Sequence, residues 1–197
     1  MTGSMHLATT DSGNELLARD PFALLLGMLL DQQVTMEKAF TSPSVLAERL
    51  GVDRLDPAAI AALDPGDLEA VFRQPPALHR YPGSMAGRAH QLARVIAEEY
   101  GDDAAALWRD APTGAELLGR LEKLPGFGAQ KAKIFLALLG KQRGVTPKGW
   151  REAAGDYGLK GFRSVADVVD EPSLVKVREF KQAQKQAAKQ AAAPSAT

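Results

Sequence analysis

The 197-residue chain is predicted to adopt an all-α fold, on three kinds of observation. Aspartate–proline pairs precede apolar segments at positions 20, 56 and 64, and such a pair typically supplies the cap and the first residue of a helix. Apolar residues recur at three- and four-residue intervals, as in Leu92, Val95 and Ile96. Gly51 and Gly101 follow two of the segments, at the position where helices commonly stop.

These patterns predict the helices in order. Residues 22–30 follow the first pair and are apolar on every side, so this helix is expected to be central and buried. Further helices are predicted over 43–50, 58–63, 66–72, 85–100 and 104–108, from Thr113 or Gly114, over 129–139, over 150–154 and from Pro172. We expect residues 1–13 to be flexible, 14–181 to form the helical domain, and the Ala/Gln/Lys tail 182–197 to be disordered or frayed.

Composition excludes several kinds of site. An apolar content of 45% is sufficient for a real core. The absence of cysteine excludes disulfides, a thiol nucleophile and a cysteine-ligated iron–sulfur cluster. The three histidines do not have the spacing of a zinc site. The longest apolar run is too short to span a bilayer and no signal peptide is evident, so a cytoplasmic protein without membrane contact is expected.

The charge distribution indicates a nucleic acid partner. The chain has 24 basic and 24 acidic residues, so its net charge alone does not suggest one. Between positions 123 and 151, however, seven basic residues occur without a single acid. They are Lys123, Lys131, Lys133, Lys141, Arg143, Lys148 and Arg151. A local basic stripe of this kind is typical of a surface that follows a phosphate backbone.

The stripe is centred on the segment LPGFGAQKA, residues 124–132, which joins two predicted helices. Gly126 and Gly128 tolerate positive φ angles and leave the turn accessible. The free N–H groups at the start of the second helix can bind a phosphate, with Lys131 and Lys133 beside them. The segment therefore predicts a phosphate-binding turn.

This segment resembles the helix-hairpin-helix of the base-excision DNA glycosylase superfamily that includes endonuclease III and the alkyladenine glycosylases. Residues 124–128 and Ala132 match its pattern of L-P-G-hydrophobic-G-x-x-x-A. The resemblance extends over residues 20–151. It implies a two-lobed helical fold with the hairpin at the junction, and a monomer that excises a damaged base from double-stranded DNA without a cofactor. In a prokaryote such a protein would be associated with the nucleoid.

The resemblance also implies roles for individual residues. Gln32 would enter the duplex, with Gln33 beside it. The residues implied to contact DNA are Gln32, Gln33, Gly126, Gly128, Gln130, Lys131, Lys133, Arg143 and Lys148. The base pocket would include His79, Tyr81 and Trp150, and the backbone of Leu124, Gly126 and Phe127 could hold Na⁺ or K⁺.

The catalytic residue is the point at which the chain departs from the family. The family's aspartate, which lies shortly after the hairpin, is replaced by Thr146. Asp31 is the preferred substitute, because a carboxylate directly after an apolar helix is locally unfavourable and such exceptions are often functional. Glu37 and Asp156 are the alternatives.

Two further expectations follow from the same comparison. Gln130 stands where lyase-competent members carry a lysine, so no Schiff-base lyase activity is expected. Lys131 is one residue further on and is expected to face phosphate. The alternatives to an enzyme are a non-catalytic DNA-binding or damage-recognition protein on the same fold and, more remotely, a helical protein–protein adaptor.

Overall fold

A computed structural model of the chain describes residues 5–191. Within that range the protein is helical and contains no β-strand, so the all-α prediction is confirmed. The α-helices are α1 (Asp11–Arg19), α2 (Pro21–Leu30), α3 (Met36–Leu50), α4 (Pro57–Ala62), α5 (Pro65–Arg73), α6 (Pro82–Tyr100), α7 (Ala106–Arg109), α8 (Gly114–Glu122), α9 (Ala129–Gln142), α10 (Trp150–Ala154) and α11 (Glu171–Ala191). Two 3₁₀ helices, Gly155–Gly158 and Val165–Asp167, lie between α10 and α11.

Helix α2 is buried at the centre of the first half of the chain. Asp20 caps it, because its carboxylate accepts hydrogen bonds from the N–H groups of Phe22 and Ala23. Every residue from 22 to 30 is buried, which confirms the prediction from the apolar run. A Cβ at Gly27 would lie 2.6 Å from the ring of Phe40, so this glycine allows α2 and α3 to pack closely.

Several helices extend beyond their predicted limits, α3 and α9 among them. Helix α3 begins at Met36 and carries Pro43 inside it, whereas the prediction started at 43. The side chain of Thr35 caps this earlier start by accepting from the Lys38 N–H. Helix α9 continues through Gly140 to Gln142. Gly140 provides space for the ring of Trp150, because a Cβ at this position would lie only 2.4 Å from that ring.

The described part of the predicted flexible N-terminal segment, residues 5–13, is more ordered than expected. Met5 and Leu7 are buried in the core, and α1 begins at Asp11, so the predicted domain start at residue 14 lies inside a helix. Asn14 holds the incoming chain, since its carboxamide oxygen accepts from the N–H groups of Leu7 and Ala8. At the other end α11 continues to Ala191 with exposed side chains over 182–188. Residues 1–4 and 192–197 of the predicted flexible ends lie outside the described range.

The helices form two groups around one continuous hydrophobic core. In the first group α2 packs against α1, α3 and α6, and α6 covers α4 and α5. In the second group α9 packs against α8, α10 and both 3₁₀ helices, and α11 packs against the later of these. None of the helices described is both long and apolar enough to cross a membrane.

Candidate functional site

The turn between α8 and α9 is anchored in the core and meets the end of α2. Leu124 and Phe127 are buried, and the Phe127 N–H donates to the Leu124 carbonyl at 3.0 Å. Gly126 has a φ of 76°, and a Cβ there would lie 2.4 Å from Cδ1 of Leu29. Glycine is therefore needed at this position both for the backbone conformation and for the approach to α2.

Lys131 joins α9 to α2. Its Nζ donates a hydrogen bond to the Leu29 carbonyl at 2.5 Å, over a sequence separation of 102 residues. Carbonyls in the last turn of a helix have no helical partner, so this bond satisfies one of them. Burial lowers the pKa of Lys131 to about 8, with Asp31 opposing the shift and Arg88 adding to it. The expectation that Lys131 faces phosphate is wrong, because its amine is turned into the junction.

Asp31 closes α2 beside this lysine. Its own N–H donates to the carbonyls of Gly27 and Met28, and its side chain is half-buried. Burial raises the pKa of the Asp31 carboxyl, while the positive charges of Lys181 and Lys131 partly oppose this and Glu37 reinforces it. The carboxyl thus lies among groups from α3, α9 and α11 that set its charge.

The two glutamines after Asp31 have different environments. Gln33 is exposed and has a φ of 54°, a left-handed conformation that is costly for a residue with a side chain. Gln32 is half-buried, and its carboxamide nitrogen lies 3.8 Å from the sulfur of Met85. The structure therefore presents Gln33 to solvent and keeps Gln32 against α6.

His79 fixes the backbone of this segment. It is buried, with 1% of its surface exposed. Its Nδ1 accepts from the Tyr81 N–H at 3.0 Å, so its proton is on Nε2, which donates to the Gln32 carbonyl at 2.9 Å. Burial lowers the pKa of this neutral imidazole. His79 therefore holds the backbone of Gln32, whereas Tyr81 is 43% exposed beside it and lies under the guanidinium of Arg80.

Helix α11 contributes two cations that the sequence reasoning missed. Arg178 forms an ion pair with Glu37 on α3. The positive charge of Lys181, one turn further along α11, lowers the pKa of the Asp31 carboxyl. Glu37, an alternative catalytic residue, is therefore already paired. Asp156, the other alternative, is exposed in the 3₁₀ helix after α10. No local signal could have predicted these contacts, since residues 37 and 178 meet only through the fold.

The basic stripe divides into internal and exposed residues. Lys131 is one of the internal residues. Lys141 is another, and it forms an ion pair with Asp167 at 2.6 Å. Arg143 donates from Nη2 to the Ala18 carbonyl at 2.5 Å, and burial lowers the pKa of its guanidinium. Arg143 therefore fastens α9 to α1 and does not have the solvent-facing position expected of a DNA contact. The remaining members of the stripe are the exposed Lys123, Lys148 and Arg151 and the half-buried Lys133.

The other predicted residues are in several environments. Trp150 is buried against Gly140 as part of the core, which departs from its expected position in a base pocket. Gln130 is exposed and donates from its carboxamide to the Tyr157 hydroxyl at 2.9 Å. Gly128 is exposed at the start of α9, and no side chain caps this end of the helix.

The predicted cation site is made of backbone carbonyls. One of the three, that of Leu124, already accepts the Phe127 N–H. Among residues 5–191 there is no cluster of three or more His, Asp or Glu side chains that could hold a metal ion.

Comparison with known proteins finds no family model, no curated protein and no solved structure that matches this chain.

Proposed function

We propose that the protein is a monofunctional DNA glycosylase that hydrolyses the N-glycosidic bond of a damaged base flipped out of duplex DNA. One observation carries the proposal: the turn 124–128 packs against the end of α2, directly before Asp31, Gln32 and Gln33. A turn suited to a phosphate backbone, an exposed glutamine and a half-buried carboxylate are thereby combined at one junction.

Asp31 supplies the charge that the reaction requires. When the glycosidic bond breaks, its electron pair leaves with the base and positive charge develops on the sugar. A nearby carboxylate stabilises that charge and accepts a proton from the water that attacks C1′. Lys181 and Lys131 favour the ionised form of Asp31 against the effect of its burial.

The DNA follows the surface around the junction in this proposal. The uncapped start of α9 binds a phosphate through its N–H groups, and the exposed Lys123 and Lys148 lie in the same stripe. Gln33 fills the space left by the flipped nucleotide, and its left-handed backbone is consistent with strain held at a functional position. In this proposal the two helix groups act as the two lobes of the glycosylase fold, and the duplex lies across their junction.

The proposal does not include a lyase step. Gln130 occupies the position of the lyase lysine and cannot form an imine, since it has no amine. The neighbouring Lys131 amine is bonded to the Leu29 carbonyl. Excision should therefore leave an intact abasic strand.

The test is a single-turnover assay on duplexes that each contain one damaged base, analysed with and without alkali. We expect cleavage of one substrate class after alkali treatment only. Asp31→Asn should lower the excision rate by about 10²–10⁴-fold while DNA affinity is retained. Asp110→Asn is the matched control, because Asp110 is exposed and closes α7 as Asp31 closes α2.

Other outcomes would contradict parts of this assignment. Cleavage without alkali would show a lyase amine. Full activity of Asp31→Asn with loss in Glu37→Gln or Asp156→Asn would move the catalytic role to that carboxylate.

The second candidate is a non-catalytic DNA-binding or damage-recognition protein. The observation that favours it is the exposed Thr146 at the position of the family's aspartate. This candidate predicts salt-sensitive binding to duplex DNA and no cleavage of any substrate in a broad panel.

A further inference from the structure

A cleft of about 440 Å³ lies on the second helix group, between α9, the 3₁₀ helix Gly155–Gly158 and α11. The polar and aromatic residues that line it are Lys133, Asp156, Tyr157, Arg163, Phe180 and Gln184. None of them belongs to the group around Asp31. The cleft is therefore a separate feature of the molecule.

The cations of this cleft lack anionic partners. The Nε–H of Arg163 is buried and has no hydrogen-bond acceptor within the described chain. The side-chain ammonium of Lys133 also has no hydrogen-bond or ion-pair partner among residues 5–191. Asp156 is the only carboxylate in the lining, and it is not within ion-pair distance of either cation. A buried donor without an acceptor is costly, so an acceptor brought by a ligand would be stabilised there.

Neutral donors complete the lining. The Tyr157 hydroxyl accepts from the Gln130 carboxamide at 2.9 Å, which leaves its own proton free to be donated. The carboxamide of Gln184 is a further donor from α11. The guanidinium of Arg163 lies 5.6 Å from the ring centroid of Phe180, and this contact holds it at the wall of the cleft.

We propose that this cleft binds a phosphate group, with Lys133 and Arg163 as its charged ligands and Tyr157 as a neutral donor. Two cations and one carboxylate give a net charge of +1, which suits a singly charged phosphodiester. Guanidinium and ammonium groups are the usual partners of phosphate oxygens in proteins.

The phosphate could be supplied by the DNA backbone or by a small phosphorylated molecule. Lys133 lies one turn after the uncapped start of α9, so a strand held at the turn 124–128 can continue into the cleft. The assignment of the phosphate to DNA rests on the proposed function. The phosphate site itself does not depend on that proposal.

The test uses the full chain and inorganic phosphate, observed by ¹H–¹⁵N NMR at the Arg163 Nε–H and at the backbone N–H groups of Gly155 and Tyr157. We expect saturable shifts of these signals. Lys133→Gln should weaken the binding by about tenfold, the loss of one charge-assisted hydrogen bond. Lys160→Gln removes the same charge from an exposed residue outside the lining and should leave the affinity unchanged. Asp156→Asn should strengthen binding.

Duplex DNA then distinguishes the sources. If the backbone supplies the phosphate, duplex displaces inorganic phosphate from the cleft, and Lys133→Gln lowers the salt slope of DNA binding by about 0.9, the value for one phosphate contact. Phosphate binding without displacement by DNA supports the site and assigns it to a small phosphorylated ligand.

If neither probe shifts the Arg163 Nε–H signal, or if Lys133→Gln and Lys160→Gln bind phosphate equally, the proposal is overturned. Excision activity is not measured in this experiment. Failure of the phosphate-site proposal can therefore be distinguished from failure of the glycosylase proposal.

Discussion

The charge of Asp31 depends on residues from three other helices. Burial raises the pKa of its carboxyl, Lys181 and Lys131 counteract that effect, and Glu37 adds to it. Lys181 is on α11 and Glu37 is on α3, so their substitutions change the charge around Asp31 without altering α2. The pKa of Asp31 can therefore be moved in either direction from a distance.

We expect Lys181→Gln to raise the pKa of Asp31 and Glu37→Gln to lower it. A raised pKa means that the carboxylate becomes protonated at a higher pH as the pH falls. The acid limb of the excision rate should accordingly move to higher pH in Lys181→Gln and to lower pH in Glu37→Gln. A ¹³C NMR titration of the Asp31 carboxyl carbon measures the same shifts without DNA.

Lys185→Gln is the control for this pair, since Lys185 is exposed one turn further along α11. Equal pKa values in the Lys181 and Lys185 variants would show that α11 does not act on Asp31.

At the scale of single elements, the turn between α8 and α9 depends on two glycines for different reasons. Gly126 has a positive φ and lies against Leu29, so an added Cβ would be strained and would collide. Gly128 has a φ of −88°, and apart from its immediate neighbours in the chain no atom lies within 4 Å of a Cβ built there. Replacing each glycine by alanine therefore makes the same chemical change in two different surroundings, so the two variants are a matched pair.

Gly126→Ala should lower the free energy of unfolding by roughly 1–3 kcal/mol, because alanine is strained at this positive φ and either Cδ1 of Leu29 or the turn must shift. Gly128→Ala should change it by about 0.5 kcal/mol or less, as for an ordinary surface substitution. Urea denaturation followed by circular dichroism measures both. Equal losses in the two variants would contradict the packing of the turn on Leu29.

At the scale of the whole molecule, the net charge is zero, but the basic residues differ in their environments. Some are exposed and others are bonded inside the protein. Lys148 is exposed and its side chain has no hydrogen-bond or ion-pair partner within residues 5–191. Arg143 is bonded to α1, with its Nη1 buried and without a partner inside the same range. Lys148 is therefore available to DNA, whereas Arg143 holds the two helix groups together.

Lys148→Gln should reduce the salt slope of DNA binding by about 0.9 and leave stability unchanged. Arg143→Gln should retain the slope and lower the free energy of unfolding by roughly 1–3 kcal/mol, because the Ala18 carbonyl loses its donor. Binding isotherms at several salt concentrations, together with urea denaturation, separate the two effects. A reduced salt slope in Arg143→Gln would show that this arginine does reach the DNA.

Predictions based on local pattern agree with the structure, and predictions of side-chain direction often do not. The cap at Asp20, the buried helix after it, and the turn at Pro125–Gly128 follow from residues that are adjacent in the sequence. The start of α3 differs from its prediction because a single threonine cap outweighs the proline that follows eight residues later. The direction of Lys131 also differs, since nothing beside it in the sequence indicates a free carbonyl in α2.

The sequence by itself determined the helical class, most helix limits and the burial of α2, because caps, periodicity and apolar runs act within a few residues. It also identified Asp31 as a residue out of place. Only the tertiary structure decided which basic residues of the stripe are internal, and that Asp31 has cations from α9 and α11 beside it. Those contacts join residues far apart in the chain, and their energies depend on burial and distance, which exist only once the chain is folded.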